Sequence, residues 1–174
     1  MVKRLTALAV VVALAVAAAS ALAASTTRAG ETRTVTCGEI IQDTKFPYIG
    51  NNRPQYRYRQ VLAAASVPEK FLQQVEPTNS RPWAYWRKAG FVVRAGRVVT
   101  VTVPDAWRTR AAITWGNGGS APVASLRFTA CPGPRNVGHA YAGGFYVRAP
   151  ACVPLSFTVD KRTATVRFGV GHRC

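Results

Sequence analysis

The stretch Leu155-Ser156-Phe157-Thr158-Val159-Asp160-Lys161-Arg162-Thr163-Ala164-Thr165-Val166-Arg167-Phe168 decides the fold. Leu155, Phe157 and Val159 alternate with Ser156 and Thr158. Asp160-Lys161-Arg162 makes a short turn, after which Ala164, Val166 and Phe168 alternate with Thr165 and Arg167. Successive side chains on a strand point to opposite faces, so this period of two gives each strand one apolar face and one wetted face.

The same signature recurs upstream. Phe145 and Val147 alternate with Tyr146 and Arg148, and Leu126, Phe128 and Ala130 with Ser125, Arg127 and Thr129. Ala111, Ile113 and Trp115 alternate with Ala112 and Thr114, which makes Trp115 a core residue. Val99, Val101 and Val103 share a phase opposite Thr100 and Thr102, and Phe91 and Val93 share one opposite Val92 and Arg94. Ala95-Gly96 and Gly116-Asn117-Gly118-Gly119 punctuate these runs as turns. Short β-branched runs spaced by such turns predict an all-β, antiparallel β-sandwich, immunoglobulin-like or jelly-roll-like, of about 7–9 strands. One face of each strand meets water, as antiparallel sheets allow. The domain is expected to run from Thr32 to Cys174 without internal repeats.

The first half reads less clearly. Thr34-Val35-Thr36-Cys37 fits a first strand, and residues 46–54, with two Pro, one Gly and two Asn, fit a loop. Tyr56-Arg57-Tyr58-Arg59 alternates like a strand, whereas Leu62-Ala63-Ala64-Ala65 favours helix by propensity. The reading adopted is a strand ending before Pro68, then a helical turn over Glu69 to Gln74. Residues 77–82 are irregular.

The N-terminus carries an export signal. Lys3 and Arg4 precede an apolar run from Leu5 to Ala19, and Ala21-Leu22-Ala23 supplies a small-x-small cleavage site. Residues 1–23 are read as a signal peptide and 24–31 as a flexible lead-in. The competing reading is an uncleaved membrane anchor, since the apolar stretch approaches the ~20 residues that span a bilayer. Either way the chain is expected to be secreted or held at the cell envelope.

Cys37, Cys131, Cys152 and Cys174 make an even set in an exported chain, so two disulfides are expected. Strand direction puts Cys152 and Cys174 at one end of the sandwich. That favours Cys152–Cys174 with Cys37–Cys131. A crossover in the loop expected over Pro132 to Ala142 would break this parity, which keeps the other two pairings open.

The 174 residues hold 23 Lys+Arg and 7 Asp+Glu, a net charge of +16. At 48% hydrophobic the chain is no disordered tail, and it is too short for a TIM barrel of ~250 residues. The excess is uneven: residues 91–174 hold 11 basic and 2 acidic side chains, residues 31–90 hold 9 and 5. Arg94, Arg127, Arg148 and Arg167 fall on wetted strand faces. Such a surface attracts anionic cell-wall polymers, anionic lipid surfaces and, non-specifically, nucleic acid. The plain alternative is that the charge serves solubility.

Chemistry is sparse. No nucleophile elbow, H-E-x-x-H, P-loop or G-x-G-x-x-G occurs, and two His are too few for a zinc constellation. No catalytic residue, metal site or cofactor is assigned. His139 and His172 are the only candidate general bases, with Asp105 or Asp160 as partners, for a small extracytoplasmic hydrolase. The aromatics say more. Arg81-Pro82-Trp83-Ala84-Tyr85-Trp86-Arg87-Lys88 packs three rings among three cations. If extended, Trp83 and Tyr85 share a face and Trp86 takes the other. Trp83, Tyr85, Arg81, Arg87 and Lys88 are therefore the candidate ligand-binding residues, for a carbohydrate ring or an anionic group. The competing role for the same rings is core and edge cover.

Pro82-Trp83, Trp86-Arg87-Lys88-Ala89-Gly90-Phe91-Val92-Val93-Arg94-Ala95-Gly96, Ala130-Cys131-Pro132, Gly143-Gly144-Phe145-Tyr146-Val147, Cys152-Val153-Pro154-Leu155 and Thr165-Val166-Arg167-Phe168-Gly169-Val170-Gly171 cover most of the mature chain. They resemble an uncharacterised family of small secreted, disulfide-bearing β-rich proteins from high-GC Gram-positive, actinobacterial-type bacteria. The resemblance implies an exported β domain and carries over no catalytic residue. The function expected is a secreted or envelope-associated, non-catalytic β-sandwich binding anionic polymers or carbohydrate of the cell surface. The alternatives are the hydrolase and a structural or interaction module of a surface assembly.

Overall fold

A computed structural model describes residues 32–50, 57–69, 72, 75–116 and 120–174. The expected signal peptide, 1–23, and lead-in, 24–31, lie outside them. Thirteen strands occur among the described residues: β1 Thr32–Val35, β2 Gln42–Lys45, β3 Tyr58–Val61, β4 Ala65–Pro68, β5 Glu76–Pro77, β6 Tyr85–Lys88, β7 Phe91–Arg94, β8 Val99–Thr102, β9 Ala111–Gly116, β10 Ser125–Phe128, β11 Val137–Val147, β12 Ala151–Val159 and β13 Arg162–Val170. Five of them form one sheet in the order β1-β10-β8-β12-β13. The other eight form a second sheet around β11. The chain is an all-β sandwich with more and shorter strands than the pattern suggested. The surplus comes from segments of two to four residues, such as β2 and β5, too brief to show a period.

The alternating positions behave as their chemistry requires. Leu155, Phe157, Val101, Leu126 and Phe128 are buried on the inner face of the five-stranded sheet. Cross-strand register makes the opposite face a field of hydroxyls: Thr34, Arg127, Thr100, Thr158 and Thr163 lie side by side across all five strands. The sheets meet through their aromatics. Phe91 of β7 lies 4.7 Å from Phe128, and Phe145 of β11 lies 5.2 Å from Phe168, centroid to centroid. Trp115 is buried among them, as its phase requires. β1 departs from the antiparallel rule: it pairs parallel to β10. It is held by Arg33, whose guanidinium donates to Glu39 Oε1 at 2.8 Å and to the Trp115 carbonyl.

β11 organises the eight-stranded sheet. Its first half pairs with β7 on one side and β2 on the other, and its second half with β6 and β9. One register runs through both β6 and β7, so Tyr85 to Arg94 is a single line along β11, interrupted at Ala89-Gly90. At the break the Ala89 N–H donates to the Gly143 carbonyl at 2.8 Å. The Trp115 indole N–H donates to the Ala89 carbonyl at 2.7 Å. The buried polar groups freed by the interruption are thus satisfied.

Two expectations are corrected. The loop expected over 132–142 is in its second part the start of β11. Its outward positions are small because Phe46 and Val92 pack there: a Cβ on Gly138 would come within 2.6 Å of Val92 Cγ1. Small residues blurred the strand signal, but strand direction still held. The disulfides join Cys37 to Cys131 and Cys152 to Cys174, the pairing that direction favours. Leu62-Ala63-Ala64 is neither helix nor strand interior. It is a tight turn between β3 and β4, with Leu62 and Ala63 both at positive φ and the Ala64 N–H on the Val61 carbonyl. Hairpin closure overrode alanine's helix propensity. The helical turn expected over 69–74 lies mostly outside the described residues. Leu72, which is described, bridges Val170 in parallel.

Candidate functional site

Residues 81–88 form a bend leading into β6. Because β6 is extended, Tyr85 and Trp86 fall on opposite faces. Tyr85 faces inward with Val147, its register partner, and packs partly buried against the core. Trp83 is only 9% exposed. Arg87 pairs with the core residue Phe145 and is half-buried, its Nε without a hydrogen-bond partner among the described residues. Arg81 and Lys88 are exposed. Trp83 and Tyr85 therefore line the interior side of this segment, and the outward ring is Trp86.

Trp86 meets Tyr146, its register partner on β11, with centroids 6.5 Å apart and planes inclined by 51°. Both rings are partly exposed. Their row continues to Glu76 of β5 on one side and to the buried Ala112 of β9 on the other. The next row holds Lys88, Gly144 and Thr114. Gly144 has no side chain to raise there, and a Cβ on it would collide with the Arg87 carbonyl at 1.9 Å.

Beyond that row the same outer face is covered by a second aromatic group. Tyr58 of β3 sets its hydroxyl against Gly90, where a Cβ would sit 2.6 Å from it. Burial, chiefly, pushes the Tyr58 phenol up to about 12, with the neighbouring Tyr48 adding to this and a hydrogen bond with the Gly90 backbone opposing it. Tyr48 packs edge-on against Tyr58 at 4.7 Å, and with Phe46 it covers Val92 and Ala140. Arg94 lies over the Phe46 ring and donates through Nε to the Arg135 carbonyl at 2.9 Å. A low strip of Gly144 and Ala142 thus separates Tyr58 from the Trp86–Tyr146 pair. Tyr146 was visible in the sequence only as an alternating strand residue. Its partnership with Trp86 depends on register between segments some sixty positions apart, which periodicity does not encode.

His139 has an acidic partner other than the two expected. Asp43 is opposite it across the β2–β11 pair, with Nδ1 and Oδ1 2.7 Å apart. Asp105 instead pairs with Arg108 at 2.7 Å, and Asp160 with Arg97 at 2.6 Å. His139 is 4% exposed, and its Nε2 is buried without a hydrogen-bond partner among the described residues. Gly133 covers that edge closely: a Cβ there would lie 3.6 Å from Nε2. An oriented imidazole is half of a nucleophile-activating arrangement, but its second nitrogen must reach a reacting atom. Here that nitrogen is buried close to Gly133, and the Tyr141 hydroxyl, further along β11, lies 3.7 Å from Cys131 Sγ. His172 is exposed near the C-terminal end. No cluster of three or more potential metal ligands occurs among the described residues.

Charge is distributed with little compensation. Twelve Lys and Arg are exposed among the described residues, against five Asp and Glu. Three of those five, Asp43, Asp105 and Asp160, already hold a partner. No helix among the described residues is long and apolar enough to cross a membrane. Two disulfides belong to a chain that folds in an oxidising, extracytoplasmic environment. Set against known protein families, curated proteins and solved structures, the chain matches none.

Proposed function

We propose that this chain is a secreted or cell-envelope-associated, non-catalytic β-sandwich that binds anionic polymers or carbohydrate of the cell surface. The observation that carries the reading is the excess of exposed cations over exposed acids, most of the latter already paired. A surface of that kind draws polyanions by long-range attraction and holds them by releasing their counterions. The signal-like residues 1–23 and the two disulfides agree with delivery outside the cytoplasm.

The hydrolase reading has one observation in its favour, the His139–Asp43 pair. Enclosure of Nε2 under Gly133 counts against it, and a role in fixing β2 to β11 accounts for the pair. The test is retention of the purified protein on isolated cell walls, anionic liposomes and DNA. Binding is expected at low ionic strength and release near 1 M salt, where the screening length falls to about 3 Å. Passage through all three at low ionic strength overturns the proposal.

A further inference from the structure

The outer face of the eight-stranded sheet gathers four chemistries beside one low strip. Trp86 and Tyr146 offer partly exposed ring faces inclined to one another. Glu76, on the same row, offers a carboxylate acceptor. Lys88 on the next row and Arg148, just past the end of β11, are exposed cations flanking the rings. Between these rings and Tyr58, whose hydroxyl lies against Gly90, the face carries only small residues, the buried Gly144 and the partly exposed Ala142.

We propose that this strip seats a sugar residue of an acidic polysaccharide, with Trp86 and Tyr146 stacking on its ring, Glu76 accepting from its hydroxyls, and Lys88 and Arg148 facing its acidic group. The proposal rests on the surface-binding reading above and narrows it to a site and a ligand class. A pyranose ring carries outward C–H groups that suit the negative face of an aromatic ring. The cations supply charge complementarity to an acidic substituent. Glu76 separates this ligand from the backbone of single-stranded DNA. A deoxyribose-phosphate backbone has no hydroxyl to donate to a carboxylate, whereas a glycan has several. Strand-binding surfaces also set out successive ring platforms for successive bases, and here one inclined pair stands apart from Tyr58.

Tyr58 fits the far wall as a neutral group. With its phenol pushed up to about 12, it keeps its proton at neutral pH, where such a polymer is ionised. It adds no negative charge to repel an acidic sugar.

The experiment compares the purified protein with Trp86→Ala, Tyr146→Ala, Glu76→Gln and Ala142→Gln by affinity electrophoresis. The probes are polygalacturonate, dextran, polyphosphate and poly-dT. The parent protein is expected to bind polygalacturonate more tightly than dextran. Trp86→Ala and Tyr146→Ala are each expected to weaken polygalacturonate binding about tenfold, the order a lost stacking ring gives, while polyphosphate binding stays unchanged. Ala142→Gln, which raises the floor and leaves both rings in place, should give the same selective loss. It reads the site even where a ring deletion disturbs folding, which near-ultraviolet circular dichroism monitors. Glu76→Gln should lose polygalacturonate affinity although it removes a negative charge. A merely electrostatic surface would gain affinity on that change.

Polygalacturonate binding equal to the parent's in all four variants overturns the site and leaves the surface-binding reading standing. A tenfold loss confined to poly-dT overturns it in favour of nucleic acid. Failure of the parent protein to bind any of the four probes removes both proposals together.

Discussion

At the residue scale, the buried polar groups are the informative ones. Tyr141 is 1% exposed, and burial, with Glu39 and Asp43 adding to it, pushes its phenol from 10.0 up to about 12. A folded-state value above the unfolded one means that folding holds the proton more tightly. That contribution is complete below about pH 10 and is lost as the pH rises toward 12. At 1.36 kcal/mol per unit, it is on the order of 3 kcal/mol. Urea titrations of the parent and Tyr141→Phe across this range should show the variant gaining about that much relative to the parent. A constant difference between the two would remove Tyr141 as the source. His139 shows how far residue-level reading reaches. Its type marked it as a candidate base, yet its partner came from cross-strand register with Asp43, on β2 and nearly a hundred positions away.

At the element scale, legibility followed side-chain size. β12 and β13 alternate cleanly and were readable to within a few residues at either end. β11 was half hidden, because its outward positions Gly138, Ala140, Ala142 and Gly144 are small where other parts of the chain pack against them or crowd the backbone. Small residues carry no hydropathy contrast, so this half of the strand leaves no period to read. The aromatic pair at the proposed site is hidden for another reason: Tyr146 alternates legibly, but its register with Trp86 is not encoded in periodicity. Gly143 tests the account. It sits at φ +151°, where β11 changes partners, and a Cβ there would come within 1.8 Å of the Thr114 carbonyl oxygen. Gly96 also has positive φ, at +72°, but nothing lies within 4 Å of its added Cβ. Gly96→Ala is expected to cost about 1 kcal/mol, as left-handed backbone alone does. Gly143→Ala should cost more than about 4 kcal/mol, in the range reserved for backbone collisions and unfilled cores. Thermal melts giving the two variants equal losses would refute the partner-switch geometry.

At the scale of the whole molecule, the two disulfides constrain the chain unequally. Cys37 and Cys131 are 94 positions apart, and Cys152 and Cys174 are 22 apart. On the loop-entropy relation these are worth about 4.7 and about 3.4 kcal/mol. Replacing the first pair by Ala should therefore lower stability in urea by about 1 kcal/mol more than replacing the second, a ranking that paired denaturation curves would reverse if native strain dominated. The long bridge, the parallel β1–β10 pair and the four-partner strand β11 share one property: each joins an early segment to a late one. A chain emerging in order has no central strand for its larger sheet, no partner for β1 and no mate for Cys37 until residues 125–147 are present. The sandwich is therefore assembled last and nearly all at once. For the exported chain proposed above, this order leaves the larger sheet and the long bridge unformed until residues 125–147 have emerged.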